Sequence, residues 1–154
     1  MKKIVWVSIL SVLFLVSCTG KFDTKVEVSQ IMETIKREVD LQNGVEEDIK
    51  SMDNAERYGL TLDDIEEGRI YYTKDAENPD KIMVIKAKNE DSMENIEKAM
   101  NAETIGLMDA WKNTEQTKKV ENHILKTRGR YVLLMIGDDA KRVESIFDRM
   151  INMT

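Results

Sequence analysis

Apolar residues recur along the chain in two rhythms, and the switches between them outline the fold. From Ser29 to Leu41 the apolar positions Ile31, Met32, Ile35 and Val39 fall three or four apart, which is the period of one helix face. Ser29 is placed to cap that helix. Residues Gln42 to Ser51 are polar and acidic, with Glu46, Glu47 and Asp48 in succession, and read as a loop. Asp53-x-x-Glu56 has the form of a capping box. It predicts a short helix over Asn54 to Tyr58, stopped by Gly59. Thr61-x-x-Asp64 predicts one more turn, ending by Gly68.

The rhythm then shortens. Arg69 to Thr73 and Lys81 to Lys88 are rich in Ile, Val and Tyr, with Asn78-Pro79 between them, a strand–turn–strand pattern. Asp91-x-x-Glu94 opens a second helix with the stripe Met93, Ile96, Met100, Leu107 and Trp111, loosening near Gly106. His123 to Thr127 and Tyr131 to Ile136 form a second hairpin across Arg128-Gly129-Arg130, where glycine supplies the positive φ of a tight turn. Asp138 is placed to cap a last helix with apolar positions Ala140, Val143, Ile146, Phe147, Met150 and Ile151. Tyr131 to Ile136 is apolar on both faces, as a central strand is. The expected architecture is α+β: a four-stranded antiparallel sheet of two hairpins, two longer helices on one face, and an N-terminal helix available for the other.

The first residues follow neither rhythm. Lys2 and Lys3 precede Ile4 to Val16, where two serines stand among eleven apolar residues and no charge occurs. A basic start followed by an apolar run of this length is the layout of a secretory signal peptide. It is too short for a bilayer span, which takes roughly 20 apolar residues. The run closes on Leu15-Val16-Ser17-Cys18, and Cys18 is the only cysteine. This resembles the lipobox of bacterial lipoproteins. The resemblance implies diacylglyceryl transfer to the Cys18 sulfur and cleavage between Ser17 and Cys18. The domain organisation expected is a signal peptide over 1–17, a lipidated tether over 18–28 and one α+β domain over 29–154.

Composition narrows the function classes. A single cysteine excludes an internal disulfide framework and any cysteine-rich zinc site. A formal charge of -6 and a pI near 5.0 speak against nucleic acid as a partner. Removal of Lys2 and Lys3 takes the charge to -8, which an anionic membrane surface repels. The domain is therefore expected to hang from its lipid instead of lying on the headgroups.

Behind the lipobox, Glu56-Arg57-Tyr58-Gly59-Leu60, Ile82-Met83-Val84-Ile85-Lys86-Ala87-Lys88 and Arg128-Gly129-Arg130-Tyr131-Val132-Leu133 occur in order. Together they resemble the small lipoproteins of low-GC Gram-positive bacteria catalogued as domain of unknown function 4358. The resemblance covers roughly Ser29 to Ile151. It implies a surface lipoprotein and transfers no catalytic residue.

Candidate chemistry is sparse. His123 is the only histidine and lies in a predicted strand beside Glu121; a general base needs an orienting partner and a pocket. Asp63, Asp64, Glu66 and Glu67 are the candidate cation ligands, although they lack the D-x-D-x-D-G spacing of a calcium loop. Met93, Met100, Met135 and Met150 fall on apolar faces and read as core filling, in place of soft-metal ligands. Lys126, Arg128 and Arg130 share one hairpin tip and read as a solvated turn, with an anionic wall polymer or headgroups as the functional alternative. No catalytic set, metal centre or cofactor motif is expected. The expected function is a membrane-anchored, non-catalytic envelope domain that binds an envelope protein or wall polymer. The alternatives are a small-ligand or cation-binding lipoprotein, and an envelope hydrolase using His123.

Overall fold

The computed structural model describes residues 25–41, 43–51 and 55–152. Ser17 and Cys18, with the whole signal peptide, lie outside the described residues, as do Asp53 and Asn54 of the first capping box.

Five strands form one antiparallel sheet: β1 (Gly44–Asp48), β2 (Ile65–Thr73), β3 (Lys81–Ala87), β4 (Ile124–Arg128) and β5 (Tyr131–Ile136), in the order β1-β2-β3-β5-β4. Both predicted hairpins are present, and β5 is central. The fifth strand is a correction. Gly44–Asp48 adds to the free edge of β2, where all five of its residues are only half-buried. An edge strand with one face toward solvent tolerates acids. Glu47 accepts from the Tyr72 hydroxyl at 2.8 Å, Asp48 lies 3.5 Å from Arg69, and Glu46 is paired with Lys36. The strand of the first hairpin also starts earlier than expected, at Ile65 instead of Arg69, directly after a short turn at Leu62–Asp64.

The helices are α1 (Val28–Glu38), α2 (Glu90–Ala110), the short α3 (Thr117–Glu121) and α4 (Ala140–Asn152). The two long helices do not share a face. Alternation along β3 and β5 sends Ile82, Val84, Tyr131, Leu133 and Met135 to one side, where α1 and α4 cover them. Met83, Ile85, Ala87, Val132, Leu134 and Ile136 point to the other, under α2. Two strands buried on both faces need a helical cover on each, so the molecule has three layers. Both central strands are buried almost end to end.

The helix starts differ from expectation too. The N-cap of α1 is Glu27, and the Gln30 side chain accepts from its N–H at 3.4 Å; Val26 and Val28 are already in the core, so packing begins inside the stretch read as tether. The cap of α2 is Asn89, which accepts from the Ser92 N–H at 2.8 Å, not the Asp91/Glu94 pair. Ahead of α4, the Asp138 carboxylate instead meets Lys119 at 3.1 Å. α2 runs through Gly106 without a break.

The sheet has two distinct ends. At one, β3 finishes, β5 begins and α1 starts; at the other lie the β2–β3 turn and the start of α4. From the first end α2 rises about 32 Å over its 21 residues, whereas the seven-residue β3 spans about 23 Å. The last turns of α2 pack inward through Leu107 and Trp111, while Ile105 (57% exposed) and Met108 (36%) face solvent. Among the described residues no helix is long and apolar enough to cross a membrane.

Candidate functional site

A groove of about 670 Å³ separates the turn at Arg57–Thr61 from α2. The turn is shaped by a short 3-10 helix, Glu56–Tyr58, which Gly59 terminates at φ 66°, a left-handed conformation that glycine adopts without penalty. Helical spacing brings Asn95, Ile96, Ala99, Ala102 and Glu103 of α2 to the opposite wall. The small side chains of Ala99 and Ala102 leave the space open.

Leu60, Ile96 and Ala99 form an apolar floor. Charges stand around it: Arg57 and Lys98, against Asp64 and Glu103. The Asn95 amide donates to Asp64 Oδ2 at 3.1 Å and closes one end. Tyr58 lies in the wall with the Lys81 ammonium 5.2 Å from its ring centroid, and Lys81 is in turn bound by Glu103. Burial pushes the Tyr58 hydroxyl pKa upward, and the neighbouring Glu103 and Glu47 charges add to the rise while Arg57 opposes it. The phenol therefore stays protonated at neutral pH and offers a donor, not a nucleophile.

The four acids proposed as cation ligands do not converge. Asp63 is 99% exposed and 3.8 Å from Lys88, and Asp64 serves the groove. Glu67 Oε2 accepts from the Val28 N–H at 2.7 Å, anchoring the start of α1. Glu66 is bound by Lys86 at 2.8 Å and Arg130 at 2.5 Å. Burial alone raises the Glu66 pKa, but those two hydrogen bonds outweigh it and hold the carboxyl below its ordinary range. Among the described residues no group of three or more His, Cys, Asp or Glu side chains could hold a metal.

His123 lies just ahead of β4, not within it. Its Nδ1 is 2.9 Å from the Val120 carbonyl, a hydrogen bond in which Nδ1–H donates. The hairpin-tip cations are mostly engaged within the fold: Lys126 with Glu144 and Asp148 at 2.9 and 2.6 Å, Arg130 with Glu66, and Arg128 with the Asn152 amide at 2.8 Å. Met93, Met100 and Met135 are buried in the core and Met150 packs against it.

Two features escaped the sequence reading. The groove is one, because the Arg57–Thr61 turn and the facing residues of α2 are 34 to 46 positions apart in the chain. The buried Lys86 is the other, and a signal existed: a lysine inside the apolar run Ile82-Met83-Val84-Ile85 of a strand covered on both faces requires an acidic partner.

A family model described as a domain of unknown function (DUF4358) matches residues 37–137. Neither a curated protein nor a solved structure matches the chain.

Proposed function

The chain belongs to the DUF4358 family, whose model spans about two thirds of its length, and from that premise we propose that it is a lipid-anchored domain of the bacterial envelope that binds a partner protein and does no chemistry of its own. The anchor is Cys18, whose sulfur takes a diacylglyceryl group before the chain is cut between Ser17 and Cys18, and the support for it is the lysine pair, apolar run and lone cysteine of the N-terminus. A diacylglyceryl group supplies the two chains that stable anchoring takes.

The observation that carries the binding role is the groove beside Tyr58. An apolar floor rimmed by charges of both signs is the anatomy of a protein–protein contact. One wall is the Glu56–Leu60 segment that also carries the family resemblance. Ile105 and Met108 are exposed apolar side chains further along α2.

The experiment is cross-linking in intact cells from a photoreactive residue at Lys98 of the full-length chain. One envelope protein should be captured, and Ala102→Trp, which plugs the groove, should abolish that capture. Capture unaffected by the plug, or capture of wall polymer alone, counts against the reading.

A further inference from the structure

We propose that the end of the sheet where α1 begins is the membrane-facing surface of this protein, held toward the phospholipid headgroups by the anchor without lying flat on them, an orientation that rests on the lipid-anchor reading above. The point at which the chain enters the domain is fixed twice. The Tyr131 hydroxyl donates to the Val26 carbonyl at 2.5 Å, and the Val28 N–H donates to Glu67 at 2.7 Å. Strand register places Arg128, Tyr131, Lys86 and Glu67 in one row across that end of the sheet. The anchor therefore leaves the domain on the same side as the β4–β5 turn, Lys88 and the last turn of α4 at Asn152.

Distance decides what this implies. Val26 lies eight positions after Cys18, which gives a root-mean-square reach of about 16 Å for a flexible chain and at most about 28 Å when extended. α2 starts at this end and rises about 32 Å away from it. The tether holds the entry end near the bilayer, and the tip of α2 stands off by more than the tether's typical reach. Charge at the entry end suits shallow contact. Lys25 is exposed, Arg128 donates to a neutral amide, and Lys88 lies 3.8 Å from the exposed Asp63, so these cations can meet headgroup phosphates. Glu27, Asp63, Glu90 and Asp91, all exposed at the same end, oppose deeper adsorption, leaving orientation to the anchor. The groove beside Tyr58 and the Ile105–Met108 surface are then presented sideways and outward, where a partner can reach them.

Lipidation turns the Cys18 sulfur into a thioether, so a cysteine introduced elsewhere is the only free thiol. Full-length chains carrying Arg128→Cys, Lys88→Cys, Met108→Cys or Ile105→Cys, all at exposed positions, are produced in cells with an alkyne fatty acid. Each is labelled with a fluorophore and placed in phosphatidylglycerol–phosphatidylcholine vesicles containing nitroxide headgroups. Labels at 128 and 88 should be quenched severalfold more than labels at 108 and 105. Equal quenching, or stronger quenching at 105 and 108, on chains that carry the fatty acid overturns the orientation alone. Chains without fatty acid and with a reactive Cys18 thiol overturn the anchor reading and the orientation with it.

Discussion

Alanine in place of Glu66 tests whether the entry end of the sheet is held by a charge pair or merely bordered by one. Lys86 stands in a strand covered on both faces, its side chain 8% exposed and its ammonium 2.8 Å from Glu66. Removing one partner of a buried pair costs roughly 3–5 kcal/mol, because the other charge is left stranded. Glu66 is 37% exposed, so water takes part of the load and the expected cost falls to about 2 kcal/mol. With an unfolding entropy near 2.1 cal/mol/K per residue and roughly 130 ordered residues, that lowers the melting temperature by about 7 °C. Lys86→Met should cost about 1 kcal/mol or less, since Glu66 keeps Arg130 and the methionine fills the space. The double variant should then melt near Lys86→Met alone, because nothing remains to be stranded. Thermal and urea melts at neutral pH on the chain beginning at Thr19 provide the four corners of the cycle. A Glu66→Ala protein that melts within a degree of the parent, or two costs that simply add in the double variant, refutes the reasoning.

The same pair sets a pH dependence. The folded Glu66 pKa lies below its ordinary 4.5, so its contribution is complete above that value and is lost as pH falls through the folded pKa. Burial lowers the Lys86 pKa, but the Glu66 hydrogen bond, helped by the charges around it, more than offsets this and raises it above 10.5; its contribution is complete below 10.5 and disappears as pH rises through the folded value. Urea midpoints should therefore fall less steeply below about pH 5 in Glu66→Gln than in the parent, and superimposable acid limbs would count against it. A methyl group at Gly44 would sit 1.9 Å from the buried Tyr71 ring, whose hydroxyl donates to the Leu41 carbonyl at 3.2 Å. Gly44→Ala should cost about 2 kcal/mol through overpacking, and an unchanged melt with an unchanged near-UV spectrum would show that the ring moves freely. Millimolar calcium should leave the melting temperature unchanged, since Asp63, Asp64, Glu66 and Glu67 serve separate partners; a large upward shift would revive the cation-binding alternative. Cys18→Ala should move the protein from the detergent to the aqueous phase without altering the domain's melt, and retention in detergent would argue for another anchor.

Local pattern was enough for most of the elements. The stripes Ile31-Met32-Ile35 and Val143-Ile146-Phe147, the two strand pairs and the tight turn at Gly129 (φ 56°) were legible because each depends on neighbours within a few residues. The family was legible too, from three short segments kept in order. β1 was not, because Gly44–Asp48 has no apolar period of its own and becomes a strand only where β2 offers a free edge. The candidate acids looked like one cluster along the chain, but a register irregularity between Ile65 and Glu67 and the packing of α1 send Glu66 and Glu67 to separate partners.

Sequence by itself settled most of the helical and extended segments, with β1 and the short α3 as the exceptions, and placed the methionines in the core instead of in a metal site. An amphipathic stripe says that a helix must be covered on one side, but carries no information about which side of a sheet it will meet. That choice belongs to the assembled sheet: once β3 and β5 are adjacent and apolar on both faces, one helix must go beneath and two above. The groove beside Tyr58, the partner of Lys86 and the end at which the N-terminal segment enters all follow from this long-range arrangement, because they join residues that only the closed fold brings within a hydrogen bond of one another.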